Sequence, residues 1–139
     1  MTVNELVTLL GAKVYNIEDD RQVTCGYAGD FLSAVMGKAP TDSAWFTIMN
    51  NVNVCAVATL AEVAVVVLCE GVEPDEPLLN KVKMQGAALT ADGSLFCSTV
   101  VMGKRGFVGN TLQLQEDIYI SRKEKGIWQP ATALPFPIN

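Results

Sequence analysis

The chain contains no histidine. That absence removes every Ser-His or Cys-His nucleophilic mechanism. It also leaves a zinc site only thiolates and carboxylates, and nothing here has ligand spacing, so no metal site is predicted. The four cysteines, Cys25, Cys55, Cys69 and Cys97, lie far apart with no Cys-x-x-Cys pair. Each sits in an apolar stretch, which predicts reduced core thiols in a cytoplasmic protein. No Gly-x-x-x-x-Gly-Lys-Ser/Thr sequence occurs; Met102-Gly103-Lys104-Arg105-Gly106 has the wrong spacing and follows a predicted helix. Gly26-Tyr27-Ala28-Gly29 lacks the third glycine of a dinucleotide fingerprint. No basic, apolar leader opens the chain, so no signal peptide is expected. No cofactor is predicted, and the chain reads as a non-enzyme.

Charge is also scarce. Only 18% of the 139 residues are charged while 50% are apolar, which predicts one compact domain with a sizeable core. The net charge of -5 is unevenly spread. Residues 1–103 hold 5 Lys/Arg against 12 Asp/Glu, whereas residues 104–139 hold 5 against 3. An acidic body repels phosphate backbones, so nucleic-acid binding is not expected.

The longest apolar run, Val52 to Cys69, is interrupted by Glu62 and closed by Glu70-Gly71-Val72-Glu73-Pro74. A carboxylate at its centre would be costly in a bilayer, so no membrane span is expected. Asn50-Asn51 resembles a helix N-cap before the Ala-rich half, and Val63–Leu68 has the composition of a strand buried on both faces. The run therefore reads as helix, turn and parallel strand.

The remaining segments follow the same alternation. Thr2-Val3-Asn4-Glu5 is a capping box, Val3, Leu6, Val7 and Leu10 repeat on one helical face, and Gly11 is the stop. Strands are predicted at Ala12–Tyr15, Gln22–Cys25, Trp45–Met49, Val63–Leu68 and Ala87–Thr90. Asp30 is expected to cap a helix with Phe31, Leu32, Val35 and Met36 inward, ended by Gly37. Asp75 is expected to cap another, with Leu78, Leu79 and Val82 inward and Gly86 as its stop. Asp92 would cap a last helix carrying Leu95, Phe96, Thr99 and Val100 as far as Gly103. The fold class predicted is α/β: a mainly parallel sheet covered by helices, in a single small domain over residues 2–103 with an appended tail over 104–139. Within the tail, Leu112–Ile120 reads as one strand.

In an open parallel sheet, ligands bind outside the carboxyl ends of the strands. Those positions are Gly26 to Asp30, Asn50-Asn51, Glu70-Gly71 and Thr90 to Asp92. Glycines allow close backbone approach, and helix N-termini favour anions. Gly26, Tyr27, Gly29, Asp30, Asn50, Asn51, Gly71, Thr90 and Asp92 are therefore the candidate ligand-binding residues, with no catalytic residue among them. The same residues serve any strand-to-helix turn, and Asp30 and Asp92 read more readily as caps than as acids or bases. Glu70, Glu73, Asp75 and Glu76 make the turn after the central strand acidic, which opposes phosphate there.

The segment Cys25-Gly26-Tyr27-Ala28-Gly29-Asp30-Phe31-Leu32-Ser33-Ala34-Val35-Met36-Gly37 resembles the small DRTGG-type domains. So do Val57-Ala58-Thr59-Leu60-Ala61-Glu62-Val63-Ala64 and the turn Glu70-Gly71-Val72-Glu73-Pro74. These domains are related to the N-terminal, non-catalytic domain of HPr kinase/phosphorylase. The resemblance covers residues 2–103. Where the family motif gives Thr-Gly-Gly, this chain has Cys69-Glu70-Gly71 and retains only Gly71. The resemblance implies a regulatory, ligand-sensing or dimerising module. It implies no kinase activity, since the P-loop of the larger enzyme lies in a separate domain. Two functional classes follow. One is a non-catalytic regulatory module that self-associates as a homodimer and binds a nucleotide or other small anion at the strand-end edge. The other is a protein-interaction subunit of a metabolic or redox complex, partnered with a metabolic enzyme and needing no small ligand.

Overall fold

The computed structural model describes residues 1–85, 88–91, 95–108 and 111–139; at 91, 95–108, 111–117 and 123 it is the backbone that is described. Five strands form the main sheet: β1 (Lys13–Asn16), β2 (Cys25–Ala28), β3 (Ser43–Thr47), β4 (Val65–Leu68) and β5 (Leu89–Ala91). Their order is β1-β5-β4-β3-β2, parallel throughout except for β1, which runs antiparallel to β5. Thr47, Leu68 and Ala91 share one row at the carboxyl end of the parallel strands, and Lys13 pairs with Ala91 on the outer side.

The central apolar run divides as its composition dictates. Helix α3 (Asn53–Leu60) ends ahead of Glu62, which turns the chain with φ 56° before β4 begins. Every residue of β3 and β4 is buried, and Val65 and Val67 are each 1% exposed. Alternation sends their side chains to two cores. Ala44, Phe46, Val65 and Val67 pack beneath α1 (Val3–Leu10) with Val3, Leu6 and Leu10. Trp45, Val66 and Leu68 pack on the other face beneath α2 (Leu32–Lys38), α3 and α4 (Glu76–Gln85). Each such aliphatic side chain contributes about 1.5–3 kcal/mol by leaving water.

The caps explain the element ends. Thr2 and Glu5 form the reciprocal capping box of α1, and Gly11 closes it in the left-handed region at φ 65°. The Asp75 carboxylate accepts the Leu78 N–H at 2.8 Å and so caps α4. Gly86, expected as the stop of α4, lies outside the described residues.

Four local readings are corrected. The second strand is Cys25–Ala28 rather than Gln22–Cys25, Gln22 making only an isolated bridge to Thr2. The aromatic Tyr27 suits a pleated surface, and the flanking glycines suggested a turn too early. Helix α2 turns Val35 inward but leaves Phe31 and Met36 exposed, and it continues past Gly37 to Lys38. Asp30 is not its cap: Phe31 holds the N-cap position and makes no side-chain cap hydrogen bond. The expected helix over 92–103 is instead strand β6 (Leu95–Val108), paired antiparallel with β7 (Thr111–Glu124). Ser98-Thr99-Val100-Val101 favours the extended chain. Gly103, expected as a helix stop, falls where the β6–β7 register shifts between Val101 and Arg105.

The described residues after β7 extend this hairpin. β8 (Ile127–Trp128) and β9 (Thr132–Ala133) both pair with β7. Ile118, Leu134 and Ile138 are buried in the α1-side core, and the Asn139 side chain bonds Ile118 and Leu134 backbone groups. Among the described residues no helix is long and apolar enough to cross a membrane.

Candidate functional site

The carboxyl ends of β2, β3 and β4 open onto three loops, and hydrogen bonds tie these loops to one another. The Asp30 carboxylate, at the end of β2, accepts the Thr47 hydroxyl at 2.8 Å and the Ile48 N–H at 3.0 Å. It therefore joins β2 to β3 instead of capping α2. Thr47 in turn accepts the Met49 N–H at 3.1 Å. Asn50 reaches the next loop, donating to the Glu73 carbonyl at 2.8 Å while its own carbonyl accepts the Asp75 N–H. The Asn51 side chain accepts the Asn53 N–H at 3.0 Å and turns the chain into α3. Glu70 and Gly71 both take positive φ, 60° and 77°, so Gly71 occupies a left-handed position in the β4–α4 turn.

The sequence candidates thus fall into three groups. Gly29, Asp30, Asn50, Asn51 and Gly71 lie together at the strand-end edge. Gly26 and Tyr27 lie within β2, and Gly26 serves a different close approach. Its N–H donates to the Ile138 carbonyl at 2.9 Å, and a Cβ there would meet Ile138 Cγ2 at 2.5 Å and Ile118 Cδ1 at 2.7 Å. Thr90 is 1% exposed within β5, where its hydroxyl donates to the Val66 carbonyl at 3.4 Å. Asp92 lies outside the described residues. Tyr27 packs against the three-helix core, and the Gly29 carbonyl accepts the Trp45 indole N–H at 2.8 Å.

The electrostatics of this edge are one-sided. Segments 25–37, 46–54 and 68–77 contain no Lys or Arg, yet they carry Asp30, Glu70, Glu73, Asp75 and Glu76. An anion bound here would rely on backbone and amide donors alone.

Sequence reasoning passed over a cleft at the opposite edge. It has a volume of about 450 Å³ and is lined by Asp19, Arg21, Thr59, Glu62, Gln85 and Ala88 among others. Arg21 lies in a stretch that reads as a solvated acidic turn, but its guanidinium donates to the Val63 carbonyl at 3.1 Å and pairs with Asp42. Cys55, behind this wall, donates to the Gln85 side-chain oxygen at 3.2 Å. Burial pushes the Cys55 thiol above its ordinary range, against smaller opposing effects of Thr59 and Lys81. Only the long-range pairing of Arg21 would have disclosed this cleft, and pairing of that kind leaves no trace in local sequence.

No protein-family model matches the chain. No curated protein matches it either. Among solved structures it is similar to the CBS and DRTGG domains of the regulatory region of Clostridium perfringens pyrophosphatase, complexed with the activator diadenosine tetraphosphate. The TM-score is 0.55 at 12% identity, with 66% of this chain and 41% of that one covered. The likeness is therefore one of fold, and this chain spans under half the length of its neighbour.

Proposed function

We propose that this protein is a non-catalytic regulatory module that self-associates and binds a nucleotide or other small anion at the strand-end edge. The observation that carries the reading is the fold shared with a regulatory region whose activator is a dinucleotide. The edge is compatible with it: hydrogen bonds link the loops that carry Asp30, Asn50 and Glu73, and Asn51 turns the chain into α3 beside them. The DRTGG-type kinship suggested by Gly26 to Asp30 belongs to the same proposal, as does a cytoplasmic setting. The relation to HPr kinase adds no catalytic expectation, because the sequence has no P-loop.

The test is a thermal-shift screen with diadenosine tetraphosphate, ATP, AMP and inorganic phosphate. A ligand selective for the folded state must raise the midpoint; at a hundredfold excess over Kd the gain is about 2.7 kcal/mol. A nucleotide-dependent rise supports the reading, and no rise with any of them at saturating concentration contradicts it.

The protein-interaction reading keeps one specific observation in its favour. Phe31, Ile48 and Val52 stand exposed beside the carboxylates of the same edge, a surface better suited to a polypeptide than to phosphate. Binding of a partner with no nucleotide effect would favour that reading.

A further inference from the structure

Charge along the strand-end edge is polarised. The half formed by the ends of β4, β3 and β2 carries Asp30, Glu70, Glu73, Asp75 and Glu76, and its segments 25–37, 46–54 and 68–77 hold no Lys or Arg. Three apolar side chains are exposed there: Phe31 at 74%, Ile48 at 41% and Val52 at 39%. The bond from the Ile48 N–H to Asp30 holds Ile48 next to the residue that precedes Phe31.

The other half lies beyond β5. Lys13 opens β1 opposite Ala91, in the row of strand ends, and is exposed. Helix α1 ends beside it at Leu10, whose carbonyl accepts the Arg122 guanidinium. That contact brings the β7–β8 turn to this corner, with Lys125, Ile127 and Trp128 exposed; Glu124 is an exposed carboxylate of the same turn. One edge therefore presents an acidic apolar half and a mainly basic apolar half.

We propose that a second copy of this chain docks edge to edge about a two-fold axis, setting the Lys13–Lys125 half of each copy on the Glu70–Glu73 half of the other. Such an interface is isologous, so the complementary contact forms twice. The alternative two-fold, with its axis running along the edge, would set carboxylates on carboxylates, which costs association energy and slows encounter. The two-fold arrangement covers Phe31, Ile48 and Trp128, and it carries cations to the Asn50-Asn51 loop, which has none of its own. The inference rests on the self-association proposed above and names its surface.

Charge reversal tests it. Wild type, the pair Glu70→Lys/Glu73→Lys and the pair Lys13→Glu/Lys125→Glu are compared by sedimentation velocity, with circular dichroism confirming that each is folded. The expected result is a dimeric wild type and at least a tenfold weaker association for each variant alone. An equimolar mixture of the two variants should regain wild-type association, because reversed acids then meet reversed bases at one contact and native pairs meet at the other. If a reversal variant does not fold, the wild-type dimer is examined instead. Raising salt from about 0.1 to 1 M shortens the Debye length from about 10 to 3 Å and should dissociate it. The exposed Phe31→Ser change should weaken it too. A folded pair of variants that dimerise like wild type, or that fail to recover on mixing, overturns this surface while leaving self-association standing. A salt-insensitive dimer indifferent to Phe31→Ser does the same. A wild type monomeric at high micromolar concentration overturns self-association itself, and this interface with it.

Discussion

Single residues divide here into those that close a gap and those that hold a loop. Gly26 closes a gap: with Ile138 and Ile118 within 2.5 and 2.7 Å of a modest side chain, Gly26→Ala should cost about 1–3 kcal/mol by overpacking. Gly29→Ala meets only the Tyr27 ring at 3.2 Å and should cost much less; denaturant midpoints of the two variants provide the comparison. Ser43 makes the opposite case. Its hydroxyl is buried with no hydrogen-bond partner among the described residues, so Ser43→Ala should be neutral or stabilise by up to about 1 kcal/mol. The Cys55 thiol supplies a pH dependence. Its raised pKa favours the neutral form in the folded state, so its contribution is complete below the ordinary thiol range. It is lost as pH rises past about 8.5 towards the folded value. Unfolding free energy should therefore fall with pH above that point, and Cys55→Ala should remove this share of the slope.

At the scale of elements, the sequence was most legible where composition and caps agreed. The Val52–Cys69 run announced its own division, because Ala-rich and Val-rich halves flank a carboxylate that neither element can bury. The Thr2–Glu5 box and the Asp75 cap were equally plain. Asp30 was not, since a carboxylate before an apolar helix looks like a cap even where its partners, Thr47 and Ile48, lie on the neighbouring strand. The candidate site was half legible for the same reason. Residues in strand-to-helix loops could be placed from periodicity, but Gly26 could be understood only once the chain's last residues were seen against it. Of the hairpin, β7 was legible as the Leu112–Ile120 strand, but β6 was missed because Asp92 and Gly103 imitate helix punctuation around a β-branched run. Its packing has a consequence for the tail. Ending the chain at Gln129 removes Leu134 and Ile138 from the α1-side core and should destabilise the fold by about 3 kcal/mol or more, measured by urea unfolding. The truncated chain should bind a hydrophobic dye.

For the whole molecule, the arrangement separates stability from interaction. Both cores lie along β3 and β4, whereas Phe31, Ile48 and Val52 stand exposed among unbalanced carboxylates where the strands end; Leu60, Met84 and Phe136 are exposed elsewhere. That division suits a module whose work is to bind and to respond. The direct test is a titration of isotopically labelled protein with diadenosine tetraphosphate, followed by backbone amide NMR. The account predicts saturable shifts at 28–31, 47–53 and 70–75, with the cleft around Arg21, Thr59 and Glu62 unmoved. Saturable shifts centred on that cleft, or none at any concentration of the dinucleotide, would contradict it.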